Sequence, residues 1–140
     1  MNISAKDVDV LARTIYGEAR GEDRVGQICV GWVVRNRAEL GYRGNSLSEC
    51  ALKRWQFSCW NADDPNYQKL NQVDLSDEVY RECMRNALQV IAGGIDPTNG
   101  ATHYHTISKP KAAVSWPPNW AEGHQPCATI GRHVFYKGVP

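Results

Sequence analysis

The chain has 140 residues, 42% of them hydrophobic, and a formal net charge of +1. That length suits one domain around one real core, and the composition is that of an ordered globular chain. Lys and Arg are scattered with no run longer than a pair, so a nucleic-acid binder, which carries a basic patch, is not expected.

At the N-terminus, Met1–Asp7 lacks an apolar h-region, so no secretory signal is read there and synthesis in the cytoplasm is expected. No stretch approaches the roughly 18 apolar residues that cross a bilayer. Helix one is predicted from about Ala5 to Arg20. Ser4 with Asp7 three residues later forms a capping box, and Gly21 is a plausible stop. Val8, Leu11, Ala12 and Ile15 recur at i, i+3, i+4 and i+7, one buried face. Helix two is predicted from Arg24 or Val25 to Leu40, ending at Gly41, with Val25, Ile28, Cys29, Trp32 and Val33 as its stripe. Asn36 falls inside that stripe, and a buried amide must be hydrogen-bonded, so it is expected to tie the helix to a loop or to a site. Gly26 and Gly31 point to close packing against another backbone, with helix one the expected partner.

Residues 41–75 read as irregular apart from a short helical piece near Leu47–Arg54. A further helix is predicted over Ser76–Ala92, with Val79, Cys83, Ala87 or Leu88, and Ile91 inward, ended by Gly93-Gly94. Asp96-Pro97-Thr98-Asn99-Gly100 is a turn signal. After it the period changes, and Ala101–Thr106 and Thr129–Lys137 read as strands around a Pro/Trp-rich loop from Pro110 to Pro126. Five cysteines without a signal peptide favour free thiols. Cys50 and Cys59 could pair if oxidised.

The candidate chemistry starts at Glu18. At the helical period it lies beside Leu11, at the edge of the apolar stripe. Carboxylates are seldom placed there, because desolvating the charge is costly, and that cost favours the protonated form a general acid needs. A solvated helix end near Gly21 is the alternative. Trp55-Gln56-Phe57-Ser58-Cys59-Trp60 puts rings, an amide and a hydroxyl in one loop, which suits a sugar groove or a satellite core. His103 and His105 share one strand face with Tyr104 on the other. With His133 or His124 they could hold a metal only if a third ligand converges, and hydrogen-bonding roles are the safer reading. Trp116-Pro117-Pro118-Asn119-Trp120 fits a substrate wall or a cap on the sheet. Phosphate loops, a Gly-x-Ser-x-Gly elbow and a His-Glu-x-x-His helix are absent from the sequence. A Cys–His nucleophilic pair stays open.

Leu11–Glu22, Gly26-Gln27 and Trp32–Arg37 resemble the SleB/CwlJ-type cell-wall hydrolases. Gln56–Trp60, Asp96–Thr102, Trp120 and Ile130–Tyr136 continue the resemblance in order, from about Asp7 to Lys137. The resemblance implies a compact α+β domain of the lysozyme or lytic-transglycosylase type, mainly helical with a small antiparallel sheet in the C-terminal half. It implies action on the glycan strands of peptidoglycan, with Glu18 catalytic and Gln56, Phe57, Trp60, His103, Tyr104, Trp120 and His133 as substrate-binding residues. No cofactor and no metal are implied, and a monomer is expected. A bare catalytic domain resembles a phage endolysin that reaches the wall through a holin; a prophage or bacterial remodelling enzyme is the alternative.

Most glycosidases use two carboxyl groups. Glu22, Asp23, Asp63 and Asp64 are the candidates for a second, and Glu22 is the best of them, although it is expected to cap or solvate the start of helix two. A single committed acid favours a lytic transglycosylase over a hydrolytic muramidase. Readings from other classes are a zinc amidase on His103, His105 and His133, and a non-catalytic glycan-binding module using Trp55, Trp60, Trp116 and Trp120.

Overall fold

The computed structural model describes residues 1–111 and 113–140; Ala112, within the predicted Pro/Trp-rich loop, lies outside the described residues. Among the described residues, five α-helices come first: α1 (Ala5–Ala19), α2 (Arg24–Leu40), α3 (Leu47–Leu52), α4 (Pro65–Gln72) and α5 (Glu78–Ala92). Three short strands follow: β1 (His103–Thr106), β2 (Ala128–Ile130) and β3 (His133–Tyr136).

The start of α1 follows from its cap. Ser4 accepts from Asp7 N–H, and the Asp7 carboxylate accepts from Ser4 N–H. The second Asp7 oxygen accepts from the backbone and hydroxyl of Ser48, which fixes α3 to α1. Burial alone would raise the Asp7 pKa, but the hydrogen bonds from Ser48 and Ser4 outweigh it and hold the carboxyl below its usual value. Asp23 caps α2 by accepting from Gly26 N–H, and Gly41 ends it at φ +68.

The predicted α2 stripe is too narrow. Gly26 through Val34 are buried without interruption, so α2 is a central helix wrapped on all sides. Val25, predicted inward, is 48% exposed. Gly31 makes the wrapping possible: a Cβ there would stand 2.9 Å from Val90 of α5 and 3.3 Å from Ile15 of α1. The close approach at Gly31 is therefore to α5 first, and Gly26 lies against the Glu22 side chain rather than against α1. On α5 the inward face is Tyr80, Cys83, Ala87 and Val90; the predicted Val79 and Leu88 are exposed. Leu11, Ile15, Val33, Val34, Leu70 and Phe135 share one core with these residues. Each such aliphatic or aromatic side chain contributes about 1.5–3 kcal/mol when fully buried.

Two elements differ from the sequence expectation. Residues 65–72, read as irregular, form α4, capped by Asp64 with Pro65 in the first turn. Its single buried residue, Leu70, is too weak a pattern to register as a stripe. The strand predicted over 129–137 is a hairpin instead, turned at Gly131 (φ +57) and Arg132. The sheet is antiparallel in the order β1-β3-β2, which leaves β1 as an edge. Asn36 behaves as expected and ties α2 to the turn before β1, donating to Asp96 Oδ2 at 2.8 Å and to the Ala101 carbonyl at 2.9 Å.

Candidate active site

The β1 edge faces the end of α1 across a cleft of about 390 Å³. Glu18 sits in the last turn of α1 and lines this cleft. Its neighbour Gly17 explains how the loop at 56–60 can reach it. A Cβ at position 17 would lie 2.7 Å from Cys59 Cβ and 2.8 Å from Leu70 Cδ2, so any larger residue would push that loop off the helix. With glycine there, Cys59 N–H donates to Glu18 Oε2 at 3.2 Å.

Glu18 Oε1 is held from the sheet. The Tyr104 hydroxyl donates to it at 2.6 Å. Burial, with the Glu18 charge adding to it, pushes the Tyr104 pKa well above its usual value. Tyr104 therefore keeps its proton and acts only as a donor. A carboxylate oxygen accepts more than one bond, so each Glu18 oxygen retains capacity toward the cleft.

Arg37 lines the same cleft, although sequence reasoning did not single it out as a site residue. It is 5% exposed, and burial lowers its pKa from the usual arginine value. It donates through Nε to the Thr102 carbonyl at 2.7 Å and through Nη1 to Gln56 Oε1 at 3.1 Å. The guanidinium thus locks the strand end and the loop together and orients Gln56 at the cleft wall. In the last turn of α2 it reads as an ordinary basic helix-end residue, because both partners are distant in sequence.

His103 and His105 share one face of β1, as the alternation predicts, and their tilted rings pack against Trp120 with centroids 5.1 and 5.8 Å away. His103 is buried, with Nδ1 2.9 Å from Thr102 Oγ1 and Nε2 3.1 Å from the Tyr42 hydroxyl. Burial, then the positive charges of Arg37 and Arg43, push its pKa down to about 4. His105 Nε2 lies 2.9 Å from the Tyr136 hydroxyl. His133 pairs with Thr106 across the strands and lies on the opposite face, its ring centroid 5.0 Å from that of Tyr104. The three-histidine set required by a zinc amidase is therefore split between two faces, and among the described residues no three His, Cys, Asp or Glu side chains cluster.

Gln56, Phe57, His103, Tyr104 and Trp120 thus meet Glu18 in the cleft, joined by Trp55, Ser58 and Trp116. Trp60 is not among them: its Nε1–H donates to Thr14 Oγ1 at 2.9 Å, and it lines a neighbouring cavity. His133 is buried behind Tyr104 rather than in the cleft. All five cysteines are free. Burial pushes Cys29 and Cys83 up to about 12 and Cys50 up to about 11; Cys59 is raised by burial and then by the Glu18 charge. Burial raises Cys127 as well, so every thiol is shifted away from the thiolate that a Cys–His nucleophile needs.

The candidates for a second carboxylate are all elsewhere. Glu22 does not cap α2, since Asp23 does. Its largely buried side chain accepts from Nε and Nη2 of Arg132 and lies 3.7 Å from His133 Nδ1. Asp64 caps α4, and Asp63 lines the neighbouring cavity. Among the described residues Glu18 is the sole carboxylate of the cleft.

The sequence model of the cell wall hydrolase family matches residues 21–136. The chain belongs to that family. The match begins just beyond Glu18, so the case for this residue rests on the geometry above. Among curated proteins, the chain is similar to the spore cortex-lytic enzymes of Halalkalibacterium halodurans (32% identity over 94% of this chain) and Bacillus subtilis (31% over 94%). It spans 35% and 38% of the length of those relatives. Its fold is that of the catalytic domain of Bacillus cereus SleB, with a TM-score of 0.74 at 26% identity, covering 97% of this chain and 93% of that one. The catalytic domain of the germination-specific lytic transglycosylase SleB from Bacillus anthracis is similar too, with a TM-score of 0.71 at 28% identity, covering 97% and 98%. The expected lysozyme-like α+β architecture of a cell wall hydrolase is thus the one present.

Proposed function

We propose that this cell wall hydrolase cleaves the bond between N-acetylmuramic acid and N-acetylglucosamine as a lytic transglycosylase, with Glu18 as acid and then base. The observation that carries the reading is the isolation of Glu18: one carboxylate, held by Tyr104 and Cys59 N–H, in an aromatic-walled cleft. The likeness to a relative described as a lytic transglycosylase supports it.

Glu18 gives its proton to the glycosidic oxygen as the C1–O bond breaks. The resulting carboxylate is steadied by its two donors. The muramoyl C6 hydroxyl closes on C1 and returns its proton to Glu18, which leaves a 1,6-anhydro end and consumes no water. A hydrolytic route would need a second carboxylate as nucleophile or to activate water, and the nearest one in sequence, Glu22, is committed to Arg132. Trp116 and Trp120 offer rings to the apolar faces of the sugars, while Gln56, whose Oε1 is taken by Arg37, offers its amide N–H groups.

Purified protein added to isolated sacculi is expected to lower turbidity and release soluble muropeptides. Sedimentation of the protein with sacculi that stay intact would favour a glycan-binding module instead. A phage endolysin role with holin-type release is part of the proposal, supported by a fold carrying five free thiols, as suits synthesis in a reducing compartment. Expression with a holin should lyse cells rapidly; absence of lysis would contradict that role.

A further inference from the structure

Trp55 occupies a position its backbone does not favour. Gln56 N–H donates to the Lys53 carbonyl at 3.1 Å, which closes a β-turn with Arg54 and Trp55 at its centre. Trp55 has φ +69, in the left-handed region. A third turn position with positive φ normally takes glycine or asparagine, and a bulky residue there is an outlier. The ring gains little in return from burial, since Trp55 is 66% exposed. Such strain held at the rim of a cleft points to a role for the side chain itself.

The ring stands on a ridge. On one side it lines the cleft with Glu18; on the other it lines a second cavity of about 440 Å³. That second cavity also has Trp60, Asn61, Asp63 and Lys53 on its walls. Trp60 has already committed its N–H to Thr14, so its ring surface is what it presents there. The Arg54 guanidinium lies 4.7 Å from the Trp55 ring centroid and pins its orientation. Two indoles with an amide, a carboxylate and an ammonium match an N-acetylated sugar, which has an apolar ring face and hydrogen-bonding edges.

We infer that the second cavity is a further sugar subsite of the same groove, with Trp55 as the stacking platform that carries the glycan strand over the ridge. The inference rests on the glycan-cleaving reading and extends it to substrate length. It calls for strands longer than those that fill the catalytic cleft alone.

The test uses peptidoglycan tetrasaccharide and hexasaccharide fragments, with binding measured calorimetrically on a Glu18→Gln background. The hexasaccharide should bind about tenfold tighter than the tetrasaccharide, the effect of one well-stacked sugar. Adding Trp55→Gly, which fits the turn and should leave Tm equal or higher, is expected to abolish that advantage. Trp55→Phe should retain most of it. A length advantage unchanged by Trp55→Gly, or absent from the start, overturns the subsite. Failure of the cleavage reading shows separately, as fragments left uncut by the protein with Glu18 intact, while the binding comparison still decides the subsite.

Discussion

Glu18 and Glu22 lie four residues apart, and the fold places them in opposite surroundings. Glu18 faces the cleft and receives only neutral donors, the Tyr104 hydroxyl and Cys59 N–H. Glu22 is turned away and is neutralised by Arg132, with His133 at 3.7 Å. Glu22 is committed to its ion pair and serves structure. Glu18 has lone pairs left over for a ligand in the open cleft. The two regions touch where the His133 and Tyr104 rings meet edge to face, with centroids 5.0 Å apart, so each can be perturbed while the other is watched.

The largest effect is expected at the cleft. Glu18→Gln keeps the shape and removes the proton, and sacculus clearing should fall by about 10³-fold or more with Tm little changed. Near-normal clearing would place the catalytic acid elsewhere. Tyr104→Phe removes the hydrogen bond to Glu18 Oε1. A bond to a charged group is worth about 1.5–3 kcal/mol, so activity should drop by about ten- to a hundredfold if Tyr104 positions the acid; an unchanged kcat would detach it from Glu18.

Glu22→Gln attacks the other region. Arg132 is largely exposed, so the pair is screened and its loss should lower stability only slightly, measured by denaturant unfolding. Activity should change by less than about threefold. A loss comparable to that of Glu18→Gln would make Glu22 the missing second carboxylate and erase the contrast.

The smallest effect is a pH dependence. The folded His103 has its pKa pushed from 6.5 down to about 4, chiefly by burial. Between those values the unfolded chain binds a proton that the folded chain does not. Its contribution to stability is therefore complete above about pH 6.5 and is lost as the pH falls toward 4. His133, also lowered by burial, acts in the same direction. Tm should fall between pH 7 and 5, and His103→Gln should flatten that slope; an unaltered slope would mean that His103 is protonated in the fold.

What the sequence revealed, and what it hid, divides along the same line as local and distant contacts. The ends of α1 and α2 were legible because Ser4, Asp7 and Gly41 act on their own helices. Glu18 was legible because its anomaly is local, an acid at the edge of an apolar stripe. Its partners were not, because Tyr104 and Cys59 meet it only through the tertiary fold. Arg37 reads as an ordinary helix residue until Thr102 and Gln56 close over it. Trp60 was expected at the substrate and Trp55 was not, and the structure reverses them: the turn at Lys53–Gln56 sets Trp55 at the Glu18 cleft, while Trp60 lines only the second cavity. Helix α4 was missed although Asp64-Pro65 is a start signal, because one buried leucine leaves no period to read. The β2–β3 turn was missed because alternation continues through Gly131-Arg132.

The central claim is that one carboxylate suffices because the substrate supplies its own nucleophile. Mass spectrometry of the muropeptides released from purified sacculi tests it most directly. The account expects 1,6-anhydromuramoyl ends that disappear with Glu18→Gln; reducing muramic acid ends from the unmodified protein would show that water enters the reaction and would contradict it.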